Sequence, residues 1–419
     1  MDRAAVIKRR WGVLAALAGI ALGGCDGMPG GPLPVTTSRS DKARVASPPV
    51  PSDDAAALAE GNAAFALSLY DQLRGQPGNI VLSPASVSLA LAMTYAGARS
   101  ATATQMAAAL HFTLPSERLH PAMNALSQAL APRVTLANDL WADRTQTLQA
   151  AFLDTLAEDY GAGVQLVDFA GAPEAARQTI NGWVAGETAG RIGDLLPAGI
   201  ITPVVRLVLT NAVYLKADWK TPFTEPTMSY PFHRADGSEV SVPMMLGKTG
   251  FAMSAGAGYR AAELDYADGA LSMVVIVPDL GTFGDFEAAL TPAMLATILG
   301  GLAPGTDGLL LPRWTFSLAV SLADTLAALG MPAAFAAGMA DFSGIDGARD
   351  LFITDIVGKA FISVAEQGTE AAAATGVVVA RLAAVPVLAA DRPFLFVIRD
   401  RPTGALLFVG RVVDPSQTP

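Results

Sequence analysis

Ala360-Phe361-Ile362-Ser363-Val364-Ala365-Glu366-Gln367-Gly368-Thr369-Glu370-Ala371-Ala372-Ala373-Ala374-Thr375 is the stretch on which the reading of this chain turns. Its first six residues form an apolar, β-prone run. After Glu366 the side chains become small. Such a run suits either a helix of good formers or a backbone that must slide between neighbouring strands with nothing bulky to obstruct it. The flanks separate these readings. An Ala-rich helix has no use for the strand-like return Asp391-Arg392-Pro393-Phe394-Leu395-Phe396 downstream, whereas a segment that enters a sheet needs strands on both sides.

Composition bounds the rest of the chain. With 419 residues, 52% hydrophobic and 16% charged, it can bury a large core, and it reads as one large domain after an N-terminal leader. A formal charge of −10 argues against nucleic acid, heparin-like polyanions and anionic lipid as partners found by charge. Arg3, Lys8, Arg9 and Arg10 precede the apolar stretch Trp11 to Leu22, which is too short for an ordinary membrane span and reads as a signal peptide, residues 1–24. Leu22-Gly23-Gly24-Cys25 resembles the lipobox of bacterial lipoproteins, which implies cleavage before Cys25 and lipidation of its sulfur. The plainer reading is a secretory signal beside a stray cysteine. As Cys25 is the only cysteine, no disulfide can form within one molecule. Residues 25–52 are rich in Pro, Gly and Ser, and from Asp26 to about Ser52 we expect a tether without fixed structure. The folded domain is expected over 53–415, with 416–419 as a tail.

A coarse pass along that domain places helices first. Apolar residues at Leu58, Phe65, Leu69 and Leu73 predict a helix from Asp53 to Arg74, stopped by Gly75 to Gly78. Asn79 to Leu82 reads as a short strand. Ser83-Pro84 then starts a helix to Tyr95, with a hydroxyl at the cap and proline in the first turn. Further helices are expected near 103–110, 121–130, 148–160 and 173–188. Strands are expected at 206–215, 271–277, 309–316, 394–398 and 405–413. Helices and strands segregate along the chain, which favours α+β over a doubly wound parallel sheet.

Several segments resemble one family in its own order. The 366–375 hinge and the Arg392-Pro393-Phe394-Leu395-Phe396 return are similar to the reactive-loop region of serpins, the loop-inserting inhibitors of serine proteases. Asn79 to Ser86, Thr210 to Phe223, Ala340 to Ile345 and Asp391 to Pro415 resemble serpin segments as well, so the resemblance covers essentially 54–415. It implies a serpin fold: helices packed on a large central sheet, smaller sheets, and an exposed reactive loop. It also implies that Ser83, Ser86 and Asn211 join a hydrogen-bonded cluster controlling sheet opening, and that Trp219 packs beneath the inserting end of the loop. By default these serines and the asparagine would cap helices or satisfy local backbone groups, and Trp219 would be core. Eight residues before Glu366 the chain has Gly358 where the family commonly has histidine. Either the cluster is rewired or opening is less restrained.

The resemblance also implies a mechanism: suicide inhibition by loop cleavage, acyl-enzyme trapping and insertion of the loop into the central sheet. Seventeen residues counted from Glu366, and eleven counted back from Pro393, both end at Leu382, so the expected reactive bond is Leu382-Ala383. A loop one residue shorter would present Arg381-Leu382 instead. Leucine at the bond points to chymotrypsin-, elastase- or subtilisin-like proteases, and arginine to trypsin-like ones. An enzyme is not expected, since the chain has no His-Glu-x-x-His, no Gly-x-Ser-x-Gly and no phosphate-binding loop ending in Lys-Ser or Lys-Thr. His111, His120 and His233 have no metal-ligand spacing, and no cofactor or metal is implied. The expected protein is a monomer anchored by lipid to the bacterial cell envelope, facing the periplasm or the surface. The alternative is a non-inhibitory, serpin-like binding or chaperone protein.

Overall fold

The chain is described by a computed structural model at residues 35–248, 250–369 and 387–418. Cys25, Glu370 to Thr375, Arg381, Leu382 and Ala383 lie outside the described residues.

Helices dominate the first half. Ser52–Leu73 buries Phe65, Leu69 and Leu73, spaced four apart so that one stripe faces inward. Each such side chain contributes about 1.5–3 kcal/mol by leaving water. Pro84–Tyr95 starts at the predicted proline and is buried on nearly every side, as its apolar sequence requires. Ser83 precedes it, but its hydroxyl makes no capping bond, contrary to expectation, and is buried without a partner among the described residues. The helix Ser116–Leu130 begins earlier than expected, so Pro121 lies inside it.

The remainder is built on three sheets. The largest runs, from one edge, Thr36–Ser38, Val164–Val167, Thr135–Asp143, Leu207–Tyr214, Ile356–Ala365, Gly368–Thr369 and Ala217–Asp218, and Trp314–Ser321 also pairs with Ile356–Ala365. A seven-stranded sheet contains Leu271–Pro278, Phe394–Asp400 and Leu406–Val412, with Ile80–Leu82 at its edge. A four-stranded sheet joins Val387–Ala389, Gly308–Pro312, Glu239–Gly247 and Met228–His233. The α+β expectation therefore holds.

Two expectations change. The predicted single strand at 309–316 is two strands in different sheets, Gly308–Pro312 and Trp314–Ser321. Leu309, Leu310 and Leu311 are buried in succession, whereas Trp314 and Phe316 alternate with less buried neighbours, so the burial period changes across Arg313. The second change concerns the tether. Residues 35–52 are not structureless: Thr36–Ser38 pairs antiparallel with Val164–Val167 at the edge of the large sheet. Ahead of the first helix, Lys42 bridges Asp154 and Glu158, and the Val45 amide donates to the Glu158 carbonyl at 2.8 Å.

Two cores flank the large sheet. Ser52–Leu73 and Pro84–Tyr95 belong to the main one. The second is made where the helix Pro173–Glu187 lays Ala176, Ile180 and Val184 against Trp141, Val208, Ala212 and Val357. That helix thus covers the two central strands, Leu207–Tyr214 and Ile356–Ala365.

Candidate functional site

The central strands are parallel and paired only from Leu209 to Val213 against Ile356 to Ala360. Beyond that point the chain itself fills the mouth between them. Ile356–Ala365 turns at Glu366-Gln367, and Gly368–Thr369 returns antiparallel, Thr369 opposite Val364 and Gly368 opposite Ala365. On its other side the same short strand pairs with Ala217–Asp218. Gly368 is required by close approach: a Cβ there would collide with the Ala217 carbonyl oxygen and lie 2.7 Å from the Asp218 Cα.

Around this turn most of the polar groups have a partner. The Trp219 indole Nε1 donates to the Ala365 carbonyl at 2.9 Å and its ring stacks on Tyr266 with centroids 4.5 Å apart. The backbone amides of Trp219 and Phe223 donate to the carbonyls of Gln367 and Glu366 at 2.8 and 2.9 Å. Thr369 is 2% exposed, and its hydroxyl lies 2.6 Å from the buried Tyr266 hydroxyl. Burial raises the Tyr266 pKa, so this phenol stays neutral.

Glu366 anchors the turn from below. One carboxylate oxygen accepts from Arg313 Nε at 2.6 Å and from the Thr227 hydroxyl, and Arg313 closes an ion pair on it. Its other oxygen is buried without a partner. Burial pushes the Glu366 pKa up, but the bonds from Arg313 and Thr227 outweigh it and hold the carboxyl below its ordinary value. Of these partners the sequence reading named only Trp219. Arg313 stood inside a supposed continuous strand, and Thr227 and Tyr266 carried no local signal.

Lower down, the predicted cluster is assembled differently from the expectation. Asn211 Nδ2 donates to Ser86 Oγ at 2.7 Å and to Asn138 Oδ1 at 2.8 Å. Ser86 Oγ donates to Asn138 Oδ1 at 3.0 Å, and Asn138 Nδ2 returns a bond to the Ser86 carbonyl at 3.1 Å. Ser83 takes no part in these bonds. Asn138 was missed because its strand, Thr135–Asp143, was not predicted, and only the register places it opposite Asn211. Gly358 lies beside Asn211 across the parallel pair. With no side chain to offer, it helps line a small void of about 20 Å³ together with Ser83 and Leu69. In this chain Asn138 completes the cluster with Ser86 and Asn211.

Such an arrangement can hold extended backbone: the side chains of Trp219, Thr369, Tyr266 and Glu366 each make a bond to another group at the mouth. Among the described residues no group of three or more His, Cys, Asp or Glu is placed to hold a metal ion. His120 instead bonds the Tyr160 hydroxyl at 2.7 Å, His111 the Ser68 hydroxyl at 3.2 Å, and His233 the Glu239 carboxylate at 3.0 Å.

Comparison with known proteins agrees with this geometry. The family model described as "Serpin (serine protease inhibitor)" matches residues 60–415. An uncharacterised serpin-like protein of Thermococcus kodakarensis is 35% identical, over 97% of this chain and 99% of its own length. The leukocyte elastase inhibitor of Homo sapiens is 37% identical, over 85% of this chain and 99% of its own. Among solved structures, the native thermophilic serpin tengpin has a TM-score of 0.80 at 26% identity, covering 90% of this chain and 99% of its own. Thyroxine-binding globulin in complex with thyroxine has a TM-score of 0.78 at 29% identity, covering 86% and 100%. Over residues 60–415, from the first helix to the C-terminal strands, the chain belongs to the serpin family of serine protease inhibitors.

Proposed function

We propose that the chain is a suicide substrate for serine proteases, with residues 366–375 as the hinge that leads the loop into the central sheet. The observation that carries this reading is the seat of Gly368–Thr369, hydrogen-bonded between Ile356–Ala365 and Ala217–Asp218 above the point where the central strands stop pairing. The first step of strand addition is already taken, and the run Ala371 to Thr375 has no bulky or charged side chain to oppose the next.

The chemistry belongs to the protease. Its serine oxygen attacks the Leu382 carbonyl carbon, the bond to Ala383 nitrogen breaks, and that amine leaves with a proton while Leu382 remains as an ester on the serine. Insertion of residues 370–382 then replaces solvent hydrogen bonds with a ladder on both sides and drags the acylated protease away before water completes hydrolysis. Ser86, Asn138 and Asn211 control how readily the strands part, and Trp219 supports the mouth. Leu382 suits an apolar specificity pocket, in keeping with relatives named for elastase, and Arg381 is the competing choice. We further propose that Cys25 carries a lipid anchoring the protein to a bacterial envelope, and that the domain acts as a monomer without a cofactor. Likeness to thyroxine-binding globulin in complex with thyroxine supports the second reading, a non-inhibitory binding protein.

The test mixes the protein with chymotrypsin, elastase, subtilisin and trypsin, with denaturing gels and mass spectrometry as the readout. A denaturant-stable adduct and a released peptide beginning at Ala383 are expected with one of the first three, and Ala373→Pro should abolish the adduct while leaving the cleavage. Cleavage without an adduct from any of the four would support the non-inhibitory reading.

A further inference from the structure

Ser83 and Gly358 lie beside the Ser86–Asn138–Asn211 bonds and take no part in them. Ser83 is 5% exposed, and its hydroxyl has no partner among the described residues. A buried hydroxyl in that state is costly. Gly358 is not explained by its backbone. Its φ is not positive, and a Cβ built on it would lie 3.5 Å from Leu322 Cδ1, 3.6 Å from Asn211 Oδ1 and 3.9 Å from the Val320 carbonyl oxygen, all ordinary contacts. Alanine would therefore fit, and glycine in a strand loses more entropy on folding while packing nothing.

The two residues line one void of about 20 Å³, together with Asn211 and Val320. A single water needs about 10–15 Å³ and two to four polar partners. Leu69, Val87, Leu318 and Leu322 make much of the wall apolar, and such walls alone would keep the space dry. Here Ser83, Asn211 and Val320 bring three oxygens to its border, a hydroxyl, an amide oxygen and a carbonyl. No carboxylate lines it, so a metal ion would find no counter-charge there.

We propose that this void is the site of one ordered water, which accepts from the Ser83 hydroxyl and donates to Asn211 Oδ1 and to the Val320 carbonyl. The bonds balance, because a water has two hydrogens for the two acceptors and a lone pair for the one donor. The bridge joins the start of the helix Pro84–Tyr95 to Leu207–Tyr214 and Trp314–Ser321, the strands that pair with Ile356–Ala365 on its two sides. Ser83 thus enters the cluster through solvent. Parting Leu207–Tyr214 from Ile356–Ala365 breaks the bridge, and the missing side chain of Gly358 leaves the room for it.

Urea unfolding of the full chain tests this through Gly358→Ala, whose effect has opposite signs for a wet and a dry void. A methyl group there takes the water's space and leaves the Ser83 hydroxyl unpaired, so the first midpoint should fall by roughly 0.5 M. With Ser83→Ala present, no hydroxyl is stranded, and the same change should cost clearly less or raise the midpoint. A rise in the native sequence overturns the proposal, since a dry void gains from being filled. Equal losses with and without Ser83→Ala overturn it too, because they report overpacking alone. A crystal structure of the unaltered chain provides the second readout. It should show a solvent peak within hydrogen-bond distance of Ser83 Oγ, Asn211 Oδ1 and the Val320 oxygen, and an empty void or one filled by a wall side chain refutes the site. Neither readout depends on protease inhibition.

Discussion

Thr369→Val asks whether the hinge truly sits in the mouth of the sheet. In the native chain the Thr369 hydroxyl and the Tyr266 hydroxyl face each other at 2.6 Å, Thr369 being 2% and Tyr266 0% exposed. Among the described residues no other partner holds the phenol. Deleting the Thr369 hydroxyl leaves it desolvated and unpaired, which costs about 1–3 kcal/mol. Tyr266→Phe strands the threonine instead, at a similar cost. With both removed nothing polar is orphaned, so the double variant should lose no more than either single one, a coupling of about 1–2 kcal/mol. At a urea slope of about 1–3 kcal/mol per M, each single variant should move the first unfolding midpoint down by roughly 1 M. Trp219 stacks on Tyr266, so tryptophan fluorescence reports on the site as it opens. Costs that simply add in the double variant would refute the reasoning, because the two residues would then not share a bond and Gly368–Thr369 would not occupy the mouth.

Two further predictions rest on the same sheet. Asn138→Ala removes the acceptor shared by Ser86 and Asn211 and should lower the stability of the native form by about 2–3 kcal/mol. A thermal scan should show an earlier first transition, and an unchanged one would remove Asn138 from the cluster. Asp139 offers a pH test: burial holds it at about 6 against an ordinary 3.8, although bonds from Gln165 and the Leu140 amide pull the other way and Glu187 adds to the rise. Because the folded state binds this proton more tightly than the unfolded one, its contribution is complete below pH 3.8 and is lost as pH rises through about 6, by up to about 3 kcal/mol. Asp139→Asn should flatten stability between pH 4 and 6, and parallel profiles for the two proteins would defeat the assignment.

What the sequence alone determined is whatever depends on local sterics. Gly368, Thr369 and Ala371 to Thr375 carry the small side chains that a backbone passing between strands would need, and this is read directly from the chain. Gly368 and the apolar run before Glu366 are legible for the same reason, as are Pro84 at a helix start and the Phe65, Leu69, Leu73 stripe. Tertiary structure alone decided the partners of these residues. Asn138 meets Asn211 only because the register of two strands sets them opposite, and Arg313 reaches Glu366 only because 308–321 divides between two sheets at that residue. The Pro- and Gly-rich composition of 25–52 announced a chain that cannot bury a core of its own. It could not announce that Thr36–Ser38 would take its hydrogen bonds from the open edge at Val164–Val167, since an edge strand is a property of the assembled sheet.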